Sequence, residues 1–156
     1  EVKLVIAPHV IDENHLVEII RKLKRPYVRY TRADEKNVRK ADCLIIDCFG
    51  LLSSIYRYGE IAYIGGGFGV GIHNTLEAAV YGIPVIFGPK YQKFQEAIQL
   101  LEAKGAFSVK DYEELKTLLD RMLTDEVFLR ESGMNASNYV TGNAGATDKI
   151  MSMINF

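Results

Sequence analysis

The stretch with the clearest capacity for chemistry is Gly65-Gly66-Gly67-Phe68-Gly69-Val70-Gly71-Ile72-His73-Asn74-Thr75-Leu76-Glu77. Five of its first seven residues are glycine, and it follows an apolar run. Glycines tolerate positive φ and let a ligand approach the backbone closely. A helix start after such a loop presents N–H groups and a positive dipole end to an anion. Phosphate binding is therefore the natural reading, with Gly66, Gly67, Gly69, Gly71 and His73 as the phosphate or sugar loop. The spacing is not the G-x-G-x-x-G of dinucleotide folds, and no Gly-Lys-Ser/Thr follows. The plainer alternative is a turn that binds nothing. Glu77 likewise has two readings. It closes a helix cap three residues after Asn74, in the manner of a capping box. Or its carboxylate accepts hydrogen bonds from two neighbouring ribose hydroxyls.

Other candidates carry weaker signals. His9 follows Pro8 where an apolar run ends, and Asp47 stands just before Phe49-Gly50-Leu51. Asp47 reads more naturally as a loop-capping carboxylate than as a ligand contact. Tyr56, Tyr58, Tyr63 and Tyr81 read as core or half-buried packing. Cys43 and Cys48 lie too close along one run to pair and lack metal-ligand spacing, so both are expected as reduced thiols of a cytoplasmic protein. No Ser-His-Asp, Cys-His or paired-carboxylate set is visible. No metal site is expected, and no catalytic base.

The elements that must position these residues follow from periodicity. Apolar runs at 2–7, 27–31, 43–48, 61–64, 84–87 and 106–109 predict six strands, the first of them buried. Helical spacing predicts helices from Asp12 to Leu23, 51–58, 73–81, 94–103, 111–123, 125–139 and 147–154, with Asp12, Asp111 and Asp125 as N-caps. The polar run 32–40 reads as a loop. Alternating strands and helices imply an α/β fold: a Rossmann-like, doubly wound, mostly parallel sheet in one domain over 1–156. Ligands of such sheets bind at the carboxyl ends of the strands. Pro8-His9, Phe49-Gly50-Leu51, Gly65 to Asn74 and Gly88 to Lys93 all fall there.

The chain has 156 residues, 19 basic and 20 acidic, for a net charge of −1. That balance argues against a general nucleic-acid binder. No apolar run approaches the ~20 residues needed to span a bilayer. The chain opens in a strand-like run without an initiator Met and with no signal peptide, which reads as a piece of a longer protein.

Taken in order, Ala7-Pro8-His9, Asp47-Cys48-Phe49-Gly50-Leu51, Tyr63-Ile64-Gly65-Gly66-Gly67, His73-Asn74-Thr75-Leu76-Glu77, Gly82-Ile83-Pro84-Val85 and Gly88-Pro89 resemble the C-terminal domain of the 3-deoxy-D-manno-octulosonic acid (Kdo) transferase family. The resemblance runs from residue 4 to about 150. It implies the C-terminal domain of a GT-B glycosyltransferase, binding the donor CMP-Kdo and using no cofactor. Carried over by position, Pro8, His9, Phe49, Gly50, Leu51, Asn74, Thr75, Leu76 and Glu77 would line the CMP site, with Glu77 on the ribose.

The resemblance further implies that a carboxylate of an N-terminal domain outside this chain is the catalytic base, and that transfer inverts configuration without a metal. That domain would also meet the lipid A precursor at the cytoplasmic face of the bacterial inner membrane. This chain alone would be soluble and inactive. The last helix would cross to the partner domain, leaving Ile150, Met151, Met153, Ile154 and Phe156 partly exposed. The chain departs from the family pattern in several places. No basic residue stands between Pro8 and His9, Phe49-Gly50-Leu51 stands for Met-Gly-Glu with Leu51 in place of the glutamate, Gly71-Ile72-His73 stands for Gly-Gly-His, Thr75 replaces a proline, and Lys93 precedes Phe94 where the family has Asn-Phe. Rival readings are a UDP-sugar transferase, a nucleotide-sugar epimerase, or a non-catalytic Rossmann-like module.

Overall fold

The computed structural model describes residues 2–153. The chain divides into two compact units, Glu1–Ser54 and Ile55–Phe156, each of which is described by itself.

The first unit holds β1 (Leu4–Ile6), α1 (Glu13–Lys22), β2 (Tyr27–Arg29), a 3-10 turn (Tyr30–Arg32), α2 (Glu35–Val38) and β3 (Cys43–Ile45). All strands are parallel, with β3 central: Cys43 pairs with both Leu4 and Tyr27. The central position explains why Cys43 and Ile45 are buried, packed with Leu16 of α1 and flanked by Ile6, Ile19 and Leu23. The N-cap Asp12 accepts a hydrogen bond from the His15 N–H at 2.9 Å, an interaction worth about 1 kcal/mol. Two expectations are corrected. β1 is an edge strand of its sheet rather than a buried one, and Leu4 and Val5 remain 40% and 48% exposed. The polar run 32–40 contains α2, nucleated by a capping box in which Asp34 and Asn37 satisfy each other's backbone; so short a polar helix has no apolar periodicity to betray it.

Helix α3 (Leu52–Ile55) spans the boundary in sequence, and the second unit opens with a 3-10 turn (Tyr56–Tyr58). It comprises β4 (Ala62–Tyr63), α4 (Leu76–Ala79), β5 (Val85–Phe87), α5 (Gln95–Glu102), β6 (Ala106–Ser108), α6 (Tyr112–Thr124), α7 (Glu126–Gly142) and α8 (Ala146–Met153). Its parallel sheet runs β4-β5-β6. Alternate residues of β5 feed different cores. Val85 and Phe87 pack with Ala78 of α4, Leu100 of α5 and Ala136 of α7. Ile86 packs with Val109, Met122 of α6 and Phe128 of α7. Side chains on a strand alternate between faces, so this sheet is covered by helices on both sides, as a doubly wound fold requires. The second core carries the Arg121 guanidinium 3.7 Å above the Phe128 ring centroid. Tyr139 of α7 donates its hydroxyl to the Gln99 side chain of α5 at 2.6 Å.

Asp111 and Asp125 cap α6 and α7 as expected, accepting from the Glu114 and Phe128 N–H groups. Among the tyrosines, Tyr56 packs against the first core, but Tyr58 is 81% exposed. It sits in a 3-10 turn that has no buried residue. Ile150, Met151 and Met153 are exposed; Ile154 and Phe156 lie outside the described residues. Cys43 and Cys48 are both free thiols, and burial pushes the Cys43 thiol up. Among the described residues no helix is long and apolar enough to cross a membrane.

Candidate functional site

In the second unit the chain leaves β4 through buried Ile64 and folds the glycines into a small hairpin. Gly66 bridges Ile72 in antiparallel fashion. The Gly67 N–H donates to the Gly71 carbonyl at 2.8 Å, and the His73 N–H to the Gly65 carbonyl at 3.2 Å. Gly66 and Gly67 have φ of +90° and +79°, the left-handed region where a Cβ is disfavoured. A Cβ on Gly66 would stand 2.0 Å from the Gly71 oxygen. One on Gly67 would stand 2.7 Å from the Gly88 Cα, in the loop after β5. Gly71 lies against the Phe94 ring, whereas Gly69 faces open space. Phe68 is half exposed and Val70 fully exposed at the tip. The Gly67 and His73 amides are thus already engaged within the hairpin, and a phosphate beside it has to draw on other donors.

Asn74, Thr75, Leu76 and Glu77 lead from the hairpin into α4, which has only four residues. Asn74 performs the capping that the sequence suggested. Its Oδ1 accepts from the Leu76 N–H at 3.0 Å, and its Nδ2 donates to Glu77 Oε1 at 3.0 Å. Glu77 is held by the Asn74 side chain rather than by a backbone N–H, so the reciprocal capping box does not form. Its other oxygen takes no hydrogen bond among the described residues. Glu77 also lies within electrostatic reach of Tyr56, whose phenol is pushed up first by burial and further by the Glu77 charge. Two residues before Glu77, Thr75 is buried, and its hydroxyl has no protein partner among the described residues. Leaving a buried hydroxyl unpaired costs about 1–3 kcal/mol. One turn of chain therefore carries a fixed carboxylate with a spare acceptor and, sealed from solvent, an unsatisfied hydroxyl. The carboxylate can receive a polyhydroxylated ligand such as a ribose.

The remaining expected site residues belong to the first unit. Pro8 and His9 follow β1, while Phe49, Gly50 and Leu51 follow β3. The two strands are neighbours, with Ile6 paired to Ile45, so both segments lie at one end of that sheet. Phe49 is 80% exposed. Gly50 takes a φ of +87° with nothing near its Cβ position. The Leu51 carbonyl accepts from the Ser54 N–H and hydroxyl.

At the same sheet end Asp47 is buried in a network that the sequence did not disclose. Its Oδ1 accepts from the Thr31 N–H at 2.9 Å. Its Oδ2 accepts from the Thr31 hydroxyl at 2.6 Å and from Arg29 Nε at 2.7 Å. Arg29 Nη1 also grips both oxygens of Glu13, at 2.8 and 3.0 Å. Burial pushes the Asp47 carboxyl up, but the hydrogen bonds from Thr31 and Arg29 outweigh it and hold the group down at about 2. The expectation that Asp47 caps a loop becomes a more specific finding: it fastens the end of β3 to the end of β2. Arg29, Thr31 and Glu13 were missed because each partner lies on a different element. Nothing local in the sequence marks such a pairing.

The parallel sheets, the covered second sheet and the glycine turn after its first strand are those of a Rossmann-like α/β fold. In fold the chain matches the C-terminal CMP-Kdo binding domain of WaaA from Acinetobacter baumannii, with a TM-score of 0.74 at 18% identity, covering 87% of this chain and 72% of that one. It also matches the C-terminal domain of a glycosyl transferase group 1 family protein from Francisella tularensis, with a TM-score of 0.57 at 17% identity over 86% of this chain and 65% of that one. No family profile matches the chain. In sequence it is homologous to 3-deoxy-D-manno-octulosonic acid transferases. It is 37% identical over 124 residues to that of Aquifex aeolicus, covering 78% of this chain and 34% of the relative. It is 32% identical over 116 residues to that of Rickettsia bellii, covering 72% and 28%. A bifunctional glycosyltransferase/methyltransferase of Fusobacterium nucleatum is 30% identical over 148 residues, covering 88% and 23%. The chain thus spans about a third or less of the length of the curated relatives it matches.

Proposed function

We propose that this chain is the donor-binding domain of a Kdo transferase and holds the CMP end of CMP-Kdo. The observation that carries the reading is the 37% identity to a Kdo transferase over 78% of the chain. The residues of the second unit give it a chemical basis. Glu77, steadied by Asn74, offers its open oxygen to the ribose hydroxyls. Pro8, His9, Phe49, Gly50, Leu51 and Leu76 are further CMP contacts by position.

In the reaction an acceptor hydroxyl attacks the anomeric carbon of Kdo. The bond from that carbon to the phosphate oxygen breaks, and CMP leaves with the electron pair. A domain that binds CMP stabilises this leaving group. The proton of the attacking hydroxyl goes to a base outside this chain. Inversion at the anomeric carbon, catalysis without a metal, a lipid A precursor as acceptor, and action at the cytoplasmic face of the inner membrane belong to the same proposal. On this reading the chain alone binds CMP but transfers no Kdo.

Calorimetric titration with CMP and with UDP tests the proposal. CMP is expected to bind at least tenfold more tightly than UDP. A preference for UDP points to a UDP-sugar enzyme instead, and binding of neither removes the donor site.

A further inference from the structure

Beside the glycine hairpin lies an open cavity of about 330 Å3, lined by Gly69, Val70, Lys90, Gln92, Lys93 and Phe94. That volume is at the small end of the range for small-molecule sites, about 300–1,000 Å3. Its charge is one-sided: two lysines and no acidic residue line it.

Lys90 is fixed in place. Its N–H donates to the Gly67 carbonyl at 2.9 Å, and its Nζ to the Gly69 carbonyl at 3.0 Å. An ammonium has three donors, so one carbonyl leaves capacity for an anion. Lys93 has no hydrogen-bond or ion-pair partner among the described residues, and its side chain is exposed. Phe94 lines the same cavity, and its ring lies against Gly71. Two ammonium groups and an aromatic ring in one cavity match a compact acidic sugar: the charge meets the lysines and the carbon face meets the ring.

We propose that Lys90 and Lys93 form a subsite for the carboxylate of the donor sugar, with Phe94 beneath its carbons. The subsite rests on the reading of the chain as a CMP-Kdo binder, because an octulosonic acid is the acidic sugar which that reading supplies. Lys93 is also where this chain departs from the Asn-Phe of the family pattern. Glu77 does not line this cavity, and the lysines add cationic donors beside the Gly67 and His73 amides that the hairpin already engages.

The test is titration of the isotopically labelled chain with free Kdo, Kdo methyl ester, inorganic phosphate and CMP, followed by amide chemical shifts. Free Kdo is expected to shift Gly69, Val70, Lys93 and Phe94. Lys93→Met is expected to weaken that binding about tenfold, the loss of one charge-assisted contact. The methyl ester, which lacks the charge, is expected to bind about tenfold more weakly to the unaltered chain, an arm that needs no variant. Kdo shifts elsewhere, or Kdo affinity within twofold for both Lys93→Met and the methyl ester, overturn the subsite. Phosphate binding there as tightly as Kdo also overturns it, by showing an unselective cationic surface. CMP titrated into the unaltered chain reports on the underlying reading separately. Shifts over 74–77 support it, and their absence refutes it whatever Kdo does.

Discussion

Two carboxylates follow strands in this chain, and their surroundings differ in a way that separates structure from function. Asp47, in the first unit, accepts three hydrogen bonds from Thr31 and Arg29, and its side chain is sealed from solvent. Glu77, in the second, is half-buried and receives one hydrogen bond, from Asn74. A saturated buried carboxylate has nothing left to offer a ligand, and removing it strands its partners. A carboxylate held at one oxygen is oriented yet still able to accept. The contrast fits Asp47 to holding the first unit together, and leaves Glu77 an open acceptor for the binding role proposed for it.

The largest expected effect breaks the saturated side. Asp47→Ala leaves Arg29, only 13% exposed, with the exposed Glu13 as its remaining partner and the Thr31 N–H and hydroxyl without their acceptor, and is expected to cost about 3 kcal/mol in urea unfolding. A loss under about 1 kcal/mol would place the pair with ordinary surface salt bridges. The same carboxylate gives a pH signature. Its folded value near 2 lies below its ordinary 3.8. Its stabilisation is therefore complete above pH 4 and lost as pH falls from about 4 towards 2. Asp47→Asn is expected to flatten that part of the stability profile, and an unchanged acid slope would assign the slope to other groups.

Gly67→Ala comes next. It puts a Cβ against Gly88 and strains a positive φ, so a loss of about 2 kcal/mol or more is expected in the same assay. Gly69→Ala, which meets open space, is its control and should change stability by less than about 0.5 kcal/mol. Equal losses at the two positions would contradict the hairpin packing.

Glu77→Ala probes the unsaturated side. It should weaken CMP binding by about 1–3 kcal/mol through the loss of a hydrogen-bonded carboxylate. Unchanged affinity with reduced stability would make Glu77 a helix-capping residue only. The smallest effect is at Thr75. Thr75→Val removes an unpaired buried hydroxyl and should raise stability by about 1 kcal/mol. Destabilisation would show that the hydroxyl has a partner in the free protein.

The contrast also explains what was legible from sequence. Strands such as Val85–Phe87 are continuous apolar runs, and α6 and α7 announce themselves through Asp111 and Asp125. Those signals are local. The helix expected over 73–81 shrinks to Leu76–Ala79 because His73 closes the hairpin on Gly65 and Asn74 caps from outside. The Asp47 network joins residues 16 and 18 positions apart, and pattern reading cannot see such a pairing. The glycine cluster stood out, but its cause did not. Composition suggested room for a phosphate, whereas Gly66 and Gly67 serve the hairpin turn and the approach to Gly88. The ribose-binding role proposed for Glu77 came from the family resemblance; its residue type alone fitted a cap equally well.

A crystal structure of the chain grown with CMP addresses the central claim most directly. The ribose hydroxyls are expected within hydrogen-bonding distance of Glu77, with Asn74 still holding the other carboxylate oxygen. CMP bound elsewhere, or Glu77 turned away from it, would contradict the account.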